Sequence, residues 1–236
     1  MLVHYPPGVF TGEYDLSPIG RAIAEPARAA ILQRLMDGQA HTASALAAAA
    51  RVSPSAASPH LHVLVSAGLV TVAQAGRRRL HTIASPEVAA AIEALAAISP
   101  PIPVESLRQA RTGSRLQRAR VCYSHLGGSL AVTMTAHLVR AGVVDLPEQG
   151  RPARVHHLDH PLLETLGIAG VPLGPGPSAR GCLDWTERVP HLAGRLGSAL
   201  LTAMITRNWV TRRPRDRALT ITTAGENHLA LLTSTR

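Results

Sequence analysis

The chain holds no lysine, so all 24 basic residues behind its formal net charge of +9 are arginine. Alanine, glycine and proline are plentiful beside them, a pattern of genomic compositional bias, and the positive charge alone is therefore no evidence for a nucleic-acid partner. Aromatic residues are scarce, 3% against 46% hydrophobic in total. A core with so few rings has to be built from helices that meet closely through alanine and leucine, which predicts a mainly α fold with small β elements. Only two cysteines occur, Cys122 and Cys182. They exclude a disulfide framework, and in a reducing cytoplasm both are expected as thiols. Catalytic and phosphate-binding signatures are missing: there is no HExxH or GxSxG, and the run GVPLGPGP at residues 170–177 lacks the Lys-Ser/Thr end of a nucleotide loop. The expectation is a protein that is not an enzyme and carries no cofactor. No apolar run is long enough to cross a bilayer and no leader of secretory type stands at the start. A soluble, cytoplasmic chain without a membrane partner is expected.

What is present is concentrated first in residues 41–70, HTASALAAAARVSPSAASPHLHVLVSAGLV, which read as a helix, a tight turn, a second helix and the start of a strand. Ala45, Leu46 and Ala49 recur at helical spacing in the first helix, and Ala57, Leu61 and Leu64 fall at i, i+4 and i+7 in the second, so the two stripes can pack on each other. The opposite face of the second helix carries Ser55, Ser58, Pro59 and His62, with Ser53 and Ala56 at its start. Small and polar side chains of this kind let a helix approach base edges in a major groove. Strand character over residues 69–75, a turn at Gly76, three arginines at Arg77, Arg78 and Arg79, and a second strand over 80–83 predict a β-hairpin beside that helix. Arginine presents a planar fork of donors to phosphate, so the hairpin suits positioning while the helix suits base readout.

Over residues 16–98 the chain resembles the ArsR-type (ArsR/SmtB) winged helix-turn-helix repressors, through AEPARAAILQRLMDG, SPSAASPHLHVLVSAGLV, the GRRR wing and a closing helix at Pro86–Ile98. The resemblance implies a homodimeric repressor that binds double-stranded operator DNA and leaves it when an effector binds or a sensor site is modified. Dimerisation is expected through helices at residues 16–24 and 86–98, with Val88, Ile92 and Leu95 at helical spacing on the latter. Two features depart from the family. Pro59 stands where a polar residue is usual and removes an amide donor. The metal sensors of the family carry cysteines in the first helix of the motif or Asp and His ligands on the closing helix, and neither set is present here.

The length of 236 residues leaves room for a second module. The expected layout is an N-terminal arm at 1–15, the winged helix-turn-helix at 16–98, a Pro-rich boundary SPPIPV at 99–104 that forbids regular helix, and a mostly helical C-terminal domain at 105–236. Residues 1–100 hold 7 arginines against 6 acids and the remainder 17 against 9, so most of the excess charge lies outside the motif. A helix is expected at 107–120 with Arg108, Arg111, Arg115 and Arg118 along one face. Beyond it, residues 124–144 align without gaps with 190–210, each opening on His-Leu-x-Gly-x-Leu, and residues 155–168 can be laid on 219–232 with a two-residue slip. The C-terminal domain is thus expected to be a tandem, degenerate winged-helix-like repeat, with copies at about 119–168 and 185–232 joined by the Gly/Pro loop.

The unusual side chains stand at the start of each copy: Cys122, Tyr123 and His125 before the first repeated helix, and Cys182, Asp184, Trp185, Glu187, Arg188 and His191 before the second. If the copies pack about a pseudo-twofold axis, Cys122, Tyr123, His125, Cys182, Asp184, Trp185, Arg188 and His191 line one pocket, with aromatic walls and a few polar groups suited to a small organic effector. The bland reading is that the histidines shape turns while the aromatics and thiols fill a core. A different reading makes the sensor a metal or a thiol redox pair, using Cys122, Cys182 and His125 or the segment from His156 to His160, although no tight ligand spacing supports it. An enzyme and an architectural DNA binder are the remaining alternatives.

Overall fold

A computed structural model of the chain describes residues 13–170 and 178–234. Most of the N-terminal arm and of the Gly/Pro loop lies outside the described residues.

The first module begins with α1 (Ser17–Ile23) and α2 (Pro26–Leu35). Glu25 caps α2 by accepting from the Arg28 amide at 3.0 Å, and Pro26 takes the first helical position, where no amide is needed. A short β1 (His41–Thr42) leads into α3 (Ala43–Ala50), capped by Thr42, and then α4 (Pro54–Ser66), capped by Ser53. The hairpin β2 (Val70–Ala75) and β3 (Arg78–Ile83) follows, with β1 added to give an antiparallel sheet of order β1-β3-β2. Ser85 caps the closing helix α5 (Pro86–Ile98). Ile31, Leu35, Leu46, Leu61, Leu64, Val70 and Ile83 are buried together between the helices and the sheet. In α4 the buried positions are Ala57, Leu61 and Leu64, as the spacing predicts. In α3 they are Leu46 and Ala47, while Ala45 is exposed. Alanine fills nearly every position of that helix, so periodicity alone does not fix its rotation, and the one leucine does.

The second module opens with α6 (Leu107–Arg118), β4 (Arg120–Cys122), β5 (His125–Gly127) and α7 (Ser129–Arg140). The expected helix through residue 120 stops at Arg118. Ala119 turns to extended backbone because β4 is claimed on both sides, by β5 and by a bond from the Val121 amide to the Arg217 carbonyl at 2.8 Å. The chain continues through β6 (Pro152–Ala153), α8 (Pro161–Thr165), β7 (Ala179–Leu183), β8 (Pro190–Ala193), α9 (Gly194–Thr206), β9 (Val210–Arg212), β10 (Leu219–Ile221) and α10 (Thr223–Ser234).

Equivalent hydrogen bonds recur in the two halves of this module. The Val143 amide bonds Leu138 as Trp209 bonds Met204, and the His156 amide bonds Val143 as Thr222 bonds Trp209. Val144 faces Val155 as Val210 faces Ile221. Each equivalent pair lies 66 positions apart. Val155 therefore corresponds to Ile221 and not to Leu219, and the slip falls after the strand, where His156 to His160 precede α8 but Thr222 alone precedes α10. The same two bonds occur in the first module, from Leu69 to Leu64 and from Ala84 to Leu69. Each half of the C-terminal module thus makes, at these positions, the same two hydrogen bonds as the helix-and-wing half of the first module.

The second wing does not project freely. Arg212 donates to the Asp37 carbonyl at 3.0 Å, Arg34 donates to the Pro214 carbonyl at 3.2 Å, and the Tyr123 amide donates to the Met36 carbonyl at 2.8 Å. Contact is so close that a Cβ on Gly38 would sit 2.0 Å from the Tyr123 carbonyl oxygen. The two modules are seated on each other along this seam.

Candidate functional site

The first candidate surface is the DNA face. Ser53, Ser55, Ala56, Ser58, Pro59 and His62 are all exposed along α4, which runs without interruption through Pro59. Arg77, Arg78 and Arg79 are exposed at the tip of the β2–β3 hairpin. Ala75 pairs with Arg78, leaving Gly76 and Arg77 as the loop, so two of the three arginines lie on β3 itself. Helix and wing thus present an unencumbered donor-rich face, while the apolar stripe of α4 is spent on the core.

The second candidate lies in the other module. In the hairpin β4–β5, Cys122 pairs across the strands with His125, and in β7–β8 Cys182 pairs with His191. Cross-strand partners project from the same face, so each copy of the repeat presents one thiol and one imidazole. The two hairpins meet on those faces. One ligand atom from each of Cys122, His125, Cys182 and His191 falls within 4.8 Å of all the others. The sulfurs are 3.8 Å apart, and the imidazole ring centres 5.1 Å. A tetrahedral ion with metal–sulfur bonds of about 2.3 Å holds its thiolates about 3.8 Å apart, whereas a disulfide requires about 2.05 Å.

The burial and the unmet valences of the cluster are informative together. Cys122 and His191 are 0% exposed, and Cys182 is partly buried. His125 Nε2 and both ring nitrogens of His191 are buried without a hydrogen-bond partner. A polar atom in this state costs free energy unless something satisfies it. The contact with Cys182, burial and the Glu93 carboxylate push the Cys122 thiol well above its usual range. Burial and the neighbouring His125 push His191 down to about 3. Burial disfavours charge on His125 too, but Cys122 and Glu93 outweigh it and raise that imidazole. Free of an ion, the cluster favours a neutral Cys122 thiol and a neutral His191; a soft or borderline cation finds two sulfurs and two nitrogens already gathered.

The residues around the cluster hold it in place. Asp184 accepts from Arg120 at 2.8 Å and from the Gly128 amide at 2.7 Å through Oδ2, and from Thr186 and the Glu187 amide through Oδ1. Burial opposes its charge, but Arg120, Thr186 and Gly128 together hold its carboxyl well below the usual range. The Arg120 guanidinium stacks 4.4 Å from the ring centre of Trp185. Gly128 and Gly194, the shared glycine of the two His-Leu-x-Gly-x-Leu motifs, both have positive φ, +92° and +72°. A Cβ on Gly128 would stand 2.6 Å from the Gln117 carbonyl oxygen, so the motif marks a turn that aims each histidine strand into its helix.

Several expected pocket residues fall elsewhere. Tyr123 packs against the hydrophobic core of the winged helix, drawn there by the bond from its amide to Met36. Arg188 is exposed in the turn that Asp184 caps. Trp185 is covered by Arg120, with Arg217 beyond at 5.7 Å. The aromatic walls expected around an organic effector are therefore engaged by charges or by the other module, and the four ligands meet each other directly. The open groove at the module seam, about 260 Å³, is lined by Arg34, Asp37, His41, Arg212, Arg213 and Arg217 together with Val121, Pro214 and Ala218. In the segment from His156 to His160, His156 pairs with Asp145, His157 bonds the Asp159 carbonyl, and His160 caps α8 and packs edge-on to His137. Those histidines are occupied by local structure. Sequence reasoning missed Arg120, Glu93 and Arg217, all buried or nearly so. The signal for Glu93 was there, an acid at i+4 between Ala89 and Ala97 on an otherwise apolar face.

A helix-turn-helix tandem of this form, with an arginine wing and a capped reading helix, defines a DNA-binding regulator. The helix-turn-helix domain family matches residues 23–73. The HTH-type transcriptional regulator YdfF of Bacillus subtilis strain 168 is 36% identical over 228 residues, covering 91% of this chain and 97% of YdfF. The chain belongs to the HTH-type transcriptional regulators, and its first module has the winged helix-turn-helix arrangement. Similar solved structures include the cadmium metal-sensor CMTR from Mycobacterium tuberculosis, 31% identical over 39% of this chain and 94% of CMTR with a TM-score of 0.33. Another is HlyU from Vibrio cholerae N16961, 33% identical over 33% of this chain and 84% of HlyU with a TM-score of 0.31. No helix among the described residues is long and apolar enough to cross a membrane.

Proposed function

We propose that this chain is a metal-responsive repressor in which the winged helix binds double-stranded operator DNA as a homodimer and a divalent ion, held by Cys122, His125, Cys182 and His191, sets the affinity for that DNA. The observation that carries the reading is the convergence of four ligand atoms within 4.8 Å, in a cluster where His125 Nε2 and His191 Nε2 are buried without a hydrogen-bond partner. Charge selects the class of ion. Arg120 is neutralised by Asp184 and Arg217 by Glu93, so two thiolates balance a dication, whereas a monovalent ion leaves an uncompensated buried charge. Two sulfurs and two nitrogens in a tetrahedron are the preference of zinc and its congeners. An ion shifts DNA affinity only through a difference in its own affinity for the two states, so DNA must change ion affinity by the same factor.

Dimerisation through α1 and α5 fits the exposed apolar side chains there. Leu16 is 74% exposed, Leu95 40% and Ile98 80%, while Val88 and Ile92 are half-buried. A second copy on this face removes them from water and gives the two-fold symmetry of a palindromic operator.

The test is the metal content of protein purified without an affinity tag, by mass spectrometry, with cobalt(II) as the spectroscopic probe. One ion per chain, a sulfur-to-cobalt charge-transfer band and loss of both in Cys122→Ser and Cys182→Ser are expected. Stable purification with less than a tenth of an ion per chain after zinc loading overturns the reading, and metabolite-dependent DNA release in that ion-free protein favours an organic effector instead.

A further inference from the structure

The second wing, β9 and β10 with the loop between them, holds four arginines against one acid over residues 212–217. Their surroundings sort them. Arg217 turns inward and lies 2.8 Å from Glu93. Arg213 stands 3.5 Å from Asp216, with its side chain 37% exposed. Arg212 and Arg215 are exposed, and neither has an ion-pair partner among the described residues. The seam fixes where this wing sits. Arg212 donates to the Asp37 carbonyl and the Pro214 carbonyl accepts from Arg34, so both grips fall on the end of α2 and the turn that leads to β1. From β1 the chain passes directly into α3, the first helix of the helix-turn-helix, which Thr42 caps. His41 of β1 lines the same groove as Arg212 and Arg213. Asp37, the acid of the first module on that groove, is 6% exposed and held by Arg34 and His41, so it offers little charge to the outside.

We propose that the second wing is a second contact for the DNA phosphate backbone, made by Arg212, Arg213 and Arg215. The DNA partner is that of the reading above, and the ion plays no part. When a helix-turn-helix lays its second helix in the major groove, the first helix crosses the backbone. The seam holds the second wing beside the strand that opens that first helix, and so brings arginines from the far end of the chain to the phosphates at that edge. A guanidinium without a carboxylate partner keeps its charge and its planar fork of donors for a phosphate. The wing divides its arginines accordingly: Arg217 is spent inside, Arg212 both anchors the seam and faces outward, and Arg213 and Arg215 are left for the partner. Contacts to phosphate position a protein on the duplex without reading its bases, so the second wing adds affinity and no sequence preference.

The experiment measures DNA affinity of the full chain by fluorescence anisotropy from about 50 to 200 mM salt, on a random duplex and on one from upstream of its own gene. The chains compared are wild type, Arg78→Ala, the pair Arg213→Ala with Arg215→Ala, and the pair Arg213→Lys with Arg215→Lys. Arg212 is left in place because it also holds the seam. Each phosphate contact accounts for about one unit of slope in log K against log salt. The alanine pair is therefore expected to reduce the slope by about two on both duplexes, so that its loss of affinity across that salt range is roughly tenfold smaller than that of wild type. The lysine pair keeps the charge and is expected to keep the slope within about half a unit. Both pairs should melt within about 2 °C of wild type, as changes at exposed side chains do. A lowered slope for Arg78→Ala with an unchanged slope for the alanine pair overturns the second contact and leaves the DNA partner standing. Unchanged slopes in both overturn the contact and the DNA face together. A lysine pair that loses as much slope as the alanine pair ties the loss to the shape of the loop and overturns the role of charge. An unchanged slope in the alanine pair, with inorganic phosphate raising the melting temperature of wild type but not of that pair, assigns the groove to a small anion and overturns the proposal.

Discussion

The Sγ atoms of Cys122 and Cys182 lie 3.8 Å apart although 60 residues separate them in the chain, and each cysteine faces a histidine across its own hairpin. Each hairpin offers one thiol and one imidazole, and packing the two hairpins face to face gathers the four side chains. The same pairing makes each hairpin insufficient alone, so loss of either cysteine is expected to abolish tetrahedral binding and not merely to halve it.

The ion-pair frame behind the cluster gives a stability prediction. Asp184→Ala leaves Arg120, whose side chain is 0% exposed, without its counter-charge. Breaking one partner of a buried pair costs about 3–5 kcal/mol. Urea unfolding of the variant should show a loss of that size, and a loss under about 1 kcal/mol contradicts the assigned role.

The DNA face gives a second. Arg77→Ala, Arg78→Ala and Arg79→Ala should weaken binding to operator and random DNA alike, each phosphate left unbound reducing the slope of log K against log salt by about one. Ser58→Ala and His62→Ala should instead change sequence preference, by about 1–3 kcal/mol for each base edge no longer read. Equal losses on all sequences from both sets contradict the division between positioning and readout.

Oligomeric state gives a third. Ile92→Asp with Leu95→Asp places charges on the proposed dimer face of α5, and sedimentation should show a dimer for the wild type and a monomer for the variant. An unchanged dimer moves the interface elsewhere.

A pH prediction follows from Asp37, which ends the first turnaround of the winged helix by accepting from the Gln39 amide and pairing with Arg34 and His41. Burial raises its pKa, but His41, the Gln39 amide and Arg34 outweigh burial and hold the carboxyl below its ordinary value. A depressed acid contributes stability above the unfolded pKa of about 4 and loses it as pH falls through the folded value. Asp37→Asn should therefore lower the melting temperature at pH 7, and the gap to wild type should close below about pH 4. A gap that is constant with pH shows that the charge of Asp37 plays no part.

The helix-turn-helix was legible because two signals coincide in it: apolar residues at Ala57, Leu61 and Leu64, and a glycine turn before the arginines. The turn common to the two His-Leu-x-Gly-x-Leu motifs was legible through a glycine that a positive φ demands. The rotation of α3 was not, since an alanine helix has no distinctive face. Nor was the burial of Arg120, because a strand that follows an arginine-rich helix looks like its continuation until its partners are known. Ligand spacing hid the gathering of Cys122, His125, Cys182 and His191. The cysteine and histidine are three apart in one hairpin and nine apart in the other, and only the strand registers make Cys122–His125 and Cys182–His191 equivalent.

The most direct test is the affinity of the wild-type chain for a duplex from upstream of its own gene as zinc is titrated, with Cys122→Ser/Cys182→Ser as the reference. A change that saturates at one zinc per chain is expected in the wild type, and no change in the double variant at any zinc concentration that leaves both folded. A duplex affinity that is independent of zinc in the wild type, or one that shifts equally in the double variant, contradicts the metal-responsive reading.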